Sequence, residues 1–90
     1  MNTAYFYLTD EGGKLAHKLA TAHPGDIYNK ENFKENLRAG FGKYDSLVCI
    51  MATGIVVRIL APLIVHKTSD PAVVVLDQKG NCLLYTSPSP

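Results

Sequence analysis

Tryptophan is absent from this sequence, cysteine occurs twice, histidine three times, and basic and acidic side chains nearly cancel. Each scarcity excludes something. Cys49 and Cys82 make no disulfide framework, and Cys49 lies inside an apolar run, so a reducing compartment, the cytoplasm, is expected. His17, His23 and His66 show no metal-ligand spacing with one another or with the cysteines, so no protein-bound metal is expected. A formal net charge of +1 gives no global attraction to nucleic acid or to an anionic membrane, and neither is expected as a partner. Tyr5, Phe6 and Tyr7 lack the surrounding basic cluster of a base-stacking platform. The longest apolar stretch, Ile55 to Val65, is broken by Arg58 and Pro62 and is too short to span a bilayer. Met1–Leu8 is too short for a signal peptide and lacks its basic start. There is no Gly-x-Ser-x-Gly elbow and no phosphate-loop signature. What is present is 90 residues, 47% of them apolar, enough for one small domain with a core.

Apolar periodicity divides the chain into alternating strands and helices. Ala4–Leu8 is aromatic-rich and reads as a strand. Thr9 suits a helix N-cap, with Asp10 and Glu11 favoured in the first turn by the helix dipole. Gly12, Leu15, Ala16, Leu19, Ala20 and His23 then recur at helical spacing until Pro24-Gly25 stops the helix. Asp26–Asn29 reads as a short strand. Glu31 to about Gly40 reads as a helix with Phe33 and Leu37 facing inward. Ser46–Met51 and Ala72–Leu76 are near-continuous apolar strands, as central parallel strands are. Between them, Thr53 to about Leu63 reads as a helix apolar nearly all round, to be covered on most sides, with Pro62 kinking or ending it. Asp77–Asn81 resembles a hairpin turn. The fold class expected is α/β: a small open, mostly parallel sheet with helices on its faces.

The end of the chain, Cys82–Pro90, reads differently. Cys-Leu-Leu-Tyr begins as a strand and breaks into Ser-Pro-Ser-Pro. Its residues match a translation of TGT-CTC-TTA-TAC-ACA-TCT-CCG-AGC-CCA, which resembles a transposon adapter used in preparing sequencing libraries. The expectation is a domain spanning residues 1–81 and an adapter-encoded, non-native tail over 82–90.

Three places carry candidate chemistry. Thr53-Gly54 follows a strand, where open α/β sheets bind ligands and a helix N-terminus presents backbone donors. The structural alternative is that Thr53 caps the helix and Gly54 packs tightly on the strand. Arg58 shares the face of Gly54. A guanidinium on an apolar helix must find an acceptor or leave the core, and its fork suits a carboxylate. That acceptor is either a ligand or an internal partner, Asp70 or Asp77. Lys67, Thr68, Ser69 and Asp70 form a polar loop before the last central strand, either a solvated turn or a ligand contact. Asp70 as a water-activating base would need a positioned partner, and no such partner is identifiable.

Met51–Pro62 (MATGIVVRILAP), followed by Lys67, Asp70-Pro71-Ala72-Val73-Val74-Val75, Asp77 and Gly80, resembles the N-terminal domain of the cobalamin-biosynthesis G family. Leu8-Thr9, Gly12, Leu15-Ala16, Ile27-Tyr28, Phe33 and Lys43-Tyr44-Asp45 agree, so the resemblance runs from Ala4 to Gly80. It implies cobalt-precorrin-5A hydrolase activity in the anaerobic route to vitamin B12: opening a lactone on a cobalt-corrin precursor and expelling two carbons as acetaldehyde. It also implies that cobalt arrives inside the substrate, with no cofactor. Thr53, Gly54, Arg58, Lys67 and Asp70 become candidate contacts to the carboxylates of that macrocycle; no catalytic residue is assigned. The family's chain continues into a Leu-Leu-Ser-Gly-His-x-Gly-Gly-Ala-Asn segment, a middle region and a C-terminal domain, which this sequence does not contain. The fragment alone is therefore expected to be inactive, with the remainder of the protein as its partner. The alternatives are a non-catalytic carboxylate- or tetrapyrrole-binding module and a purely structural α/β module.

Overall fold

Burial on both faces of the first strand sets the arrangement of the layers. The computed structural model describes residues 2–63 and 71–86. In it, β1 (Thr3–Tyr7) buries Ala4, Tyr5 and Phe6, and successive side chains point to opposite faces. Phe6 therefore packs with one core cluster and Tyr5 with another. The chain continues through α1 (Asp10–Ala22), β2 (Asp26–Tyr28), α2 (Phe33–Phe41), β3 (Ser46–Ile50), α3 (Thr53–Leu60), β4 (Ala72–Leu76) and β5 (Cys82–Thr86). The five strands form one sheet in the order β2-β1-β3-β4-β5. β1 to β4 are mutually parallel, and β5 returns antiparallel to β4, with an irregularity between Val75 and Leu76. The expected α/β class with a mostly parallel open sheet is what the chain adopts.

α2 and α3 cover one face of the sheet over Phe6, Leu37, Leu47, Val56 and Val75, all essentially inaccessible to solvent. Each such side chain contributes roughly 1.5–3 kcal/mol relative to exposure. Among the described residues α1 alone covers the other face, against Tyr5 and Ile50 through Ala16. One helix does not span the sheet. Val48 and Val74 on that side are only half-buried, so the expectation of strands buried on both faces holds fully only toward α2 and α3.

Three local outcomes differ from the sequence reading for identifiable reasons. α2 begins at Phe33 rather than Glu31, because Asn32 sits in the left-handed region (φ 54°) and a right-handed helix cannot run back through it. α3 ends at Leu60 rather than near Leu63 and tightens into a 3-10 turn, Ala61–Leu63, the ending expected of Pro62 at an earlier boundary. Pro62 has no N–H to return to the carbonyl four residues earlier. α3 is also covered on one side only. Val56, Ile59 and Leu60 are buried, while Val57 is 48% exposed and Arg58 is exposed.

At the amino end of the sheet a polar chain fixes the edge strand β2. The Tyr44 hydroxyl donates to the Asp26 carboxylate (2.5 Å) and lies 2.6 Å from the Tyr28 hydroxyl. Burial, and then that hydrogen bond to Asp26, raise the pKa of Tyr44. The Tyr28 ring in turn stacks on Phe6, with centroids 5.0 Å apart.

Candidate functional site

The order of the strands opens a crevice at their carboxyl ends. β1 and β3 are neighbours, yet the chain leaves β1 for a helix on one face and β3 for a helix on the other. Such a switch point separates the two strand-to-helix connections and leaves a gap between them. A cleft of about 580 Å³ lies there, within the usual size of small-molecule sites, roughly 300–1,000 Å³. Its floor is apolar: Leu8, Ile50, Met51 and Ile55. Its rim is polar and is supplied by Thr9 after β1 and by the turn Asp77–Asn81 after β4.

Both parts of the rim are held by hydrogen bonds. Thr9 is the N-cap of α1, and its hydroxyl oxygen accepts from the Gly12 N–H at 3.0 Å, as expected from sequence. The same hydroxyl donates to the side chain of Gln78 at 3.4 Å, joining the two walls. In the turn, the Asp77 carboxylate accepts from the backbone N–H of Lys79 (2.9 Å), from the backbone N–H of Asn81 (2.8 Å) and from the Asn81 side-chain amide (3.0 Å). These bonds, those from Asn81 foremost, hold its pKa below the ordinary carboxylate value. Gly80 sits at φ 94°, which only glycine adopts without strain, and so lets the chain turn back into β5. Lys79 is exposed on this fixed turn and lines the cleft.

The candidates read from sequence fall differently. Thr53 opens α3 but does not cap it: Ala52, with extended backbone, occupies the N-cap position and makes no side-chain cap hydrogen bond. Gly54 is exposed with open space around it, since nothing lies within 4 Å of where a Cβ would stand, so it does not serve close packing on the strand. Arg58 has left the core for solvent. The Asp77 carboxylate suggested as its internal partner is instead bonded within its own turn. α3 reaches the cleft through Ala52 and Ile55; Thr53, Gly54 and Arg58 are not among the lining residues. Lys67 and Asp70, with His66, lie outside the described residues. Thr9, Gln78 and Lys79, which line the cleft, were not among the candidates read from sequence. Asp77–Asn81 was legible as a turn, but only the strand order places that turn across from Thr9.

Among the described residues no helix is long and apolar enough to cross a membrane, and no group of three His, Cys, Asp or Glu side chains is placed to hold a metal ion. His17 and His23 are exposed on and after α1, and the His17 Nδ1 lies 2.7 Å from the Gly13 carbonyl.

Comparison with known proteins points one way. The chain is 42% identical over 89 residues to the cobalt-precorrin-5A hydrolase of Salmonella typhimurium, an alignment covering 86% of this chain and 25% of that protein. It is 50% identical over 40 residues to the cobalt-precorrin-5A hydrolase of Priestia megaterium, covering 44% of this chain and 11% of the relative. Among solved structures, a cobalamin biosynthesis protein G homologue from Sulfolobus solfataricus superimposes with a TM-score of 0.71 at 26% identity, over 92% of this chain and 29% of that one. The chain thus spans about a quarter of the length of the Salmonella relative. Residues 35–85, more than half of the sequence, match the family described as Cobalamin synthesis G N-terminal, and the chain belongs to that family.

Proposed function

We propose that this chain is the N-terminal part of a cobalt-precorrin-5A hydrolase, acting in the cytoplasm in anaerobic cobalamin synthesis. The reaction opens the lactone of a cobalt-corrin precursor with water and releases a two-carbon fragment as acetaldehyde. Cobalt enters with the substrate and no further cofactor is invoked. The observation that carries this reading is the 42% identity to the Salmonella hydrolase across most of the chain.

The contribution of this part is binding. A corrin precursor is a broad apolar ring edged with acetates and propionates, and the switch-point cleft has the matching form, an apolar floor with a polar rim. The cleft's own carboxylate, Asp77, is held ionised by three hydrogen bonds within its turn and is poorly suited to take a proton from water. The hydrolytic groups then belong to the rest of the protein, and the isolated chain binds without turnover. Thr53, Gly54 and Arg58 of α3, with Lys67 and Asp70 of the sequence that follows, are proposed as further substrate contacts. Arg58 would hold a carboxylate through its two-pronged guanidinium.

The test is a chimera. This sequence replaces the matching quarter of the Salmonella hydrolase, and acetaldehyde release from cobalt-precorrin-5A is measured. Release close to the parent rate supports the assignment. A folded chimera that binds the corrin but releases nothing argues for a binding module of another pathway. A folded chimera that neither binds nor turns over argues for a purely structural domain.

A further inference from the structure

We propose that Lys79 is the carboxylate-recognition residue of the cleft, its ammonium meeting a peripheral acetate or propionate while the apolar floor takes an edge of the ring. This rests on the reading of the chain as part of a corrin-precursor enzyme. Among the described residues lining the cleft, Lys79 alone carries a positive charge. The negative charge beside it, Asp77, is engaged by the Lys79 backbone N–H and by Asn81. The turn therefore binds its own carboxylate with main-chain and amide donors and leaves the Lys79 ammonium to serve another.

The backbone beneath Lys79 is pinned at both ends. The Asp77 carboxylate holds Lys79 and Asn81, Gly80 N–H donates to the Asp77 carbonyl at 3.0 Å, and Thr9 reaches across to Gln78. A flexible stem on a fixed turn suits a point charge that must follow carboxylates of varied position, whereas a fork would demand one geometry. The opposite wall offers the Thr9 hydroxyl, bonded to Gln78, while Asp10 and Glu11 of the first turn of α1 are not among the lining residues.

The experiment is a visible-absorbance titration of this chain with cobyrinic acid, a cobalt corrin with free carboxylates, and with its fully amidated counterpart. Wild type is compared with Lys79→Gln, Lys79→Arg and Arg58→Gln. Lys79→Gln is expected to weaken binding of the acid about fivefold, the scale of one exposed ion pair, and Lys79→Arg, which keeps the charge but not the point-like ammonium, to fall between the two. The amidated corrin should not distinguish wild type from Lys79→Gln, and the difference for the acid should shrink as salt is raised. The exposed position leaves the fold intact, which circular dichroism checks, and Lys79→Glu provides a second variant with a larger expected loss. Equal binding of the acid by wild type and both Lys79→Gln and Lys79→Glu overturns the assignment to Lys79 and leaves the proposed function standing. No binding by wild type overturns the role of the cleft itself, while the chimera still decides the enzyme assignment.

Discussion

Asp77 and Asn81 clasp each other in both directions. The Asn81 backbone N–H and side-chain amide donate to the Asp77 carboxylate at 2.8 and 3.0 Å, and the Asp77 N–H donates to the Asn81 carbonyl at 3.0 Å. The carboxylate thereby favours its charged form, and its pKa is lowered in the folded state. A depressed carboxylate adds stability above its ordinary pKa, about 3.9 for aspartate, and that contribution is lost as pH falls through the lowered folded value. A pH titration followed by nuclear magnetic resonance should show Asp77 titrating below the ordinary value, with the amide protons of Lys79 and Asn81 shifting at the same midpoint. Titration at or above the ordinary value would contradict the clasp.

Gly25 lies against the neighbouring strand so closely that a Cβ there would fall on the backbone carbonyl of Thr3, with the Tyr5 ring also only 3.0 Å away. Backbone cannot move aside without disturbing the pairing of β1 with β2. Gly25→Ala should therefore destabilise the protein by about 2–3 kcal/mol, the upper range for overpacking, in a urea melt. Gly54→Ala, with open space at its Cβ, should leave the midpoint unchanged or raised. Equal effects of the two changes would contradict the described packing.

The two cysteines should differ sharply in reactivity. Cys49 is inaccessible within β3, and burial pushes its pKa up to about 12, whereas Cys82 is exposed on β5. A thiol-specific chromogenic reagent at mildly alkaline pH should modify one thiol in the native protein and two in denaturant. Because the folded state keeps the Cys49 proton, the unfolded state alone ionises above the ordinary thiol pKa of about 8.5. The Cys49 contribution to stability should therefore decline as pH rises past that value. Rapid modification of both thiols without denaturant would contradict the assignment of Cys49 to the core.

Much of this architecture was legible in the order of apolar and polar residues. Thr9 as a cap, Ala16 and Leu37 as inward residues and Ala72–Leu76 as a strand follow from local periodicity, and each appears as read. Boundaries moved where one residue's backbone or missing N–H decided, as at Asn32 and Pro62. The site was harder to see. Thr53, Gly54 and Arg58 stand out because they interrupt an apolar segment, and Gly54 and Arg58 are exposed outside the cleft lining. Thr9 and Lys79 look ordinary in their own turns. They meet at one cleft only because β1, β3 and β4 are adjacent with β1 and β3 sending helices to opposite faces. That is a property of strand order, which local periodicity does not carry.

The most direct test of the central claim is acetaldehyde release by a full-length hydrolase whose N-terminal quarter is this chain, supplied with cobalt-precorrin-5A. Turnover close to that of the parent enzyme is expected, and no turnover from the isolated chain although it binds the corrin. A correctly folded chimera that neither binds the corrin nor releases acetaldehyde would contradict it.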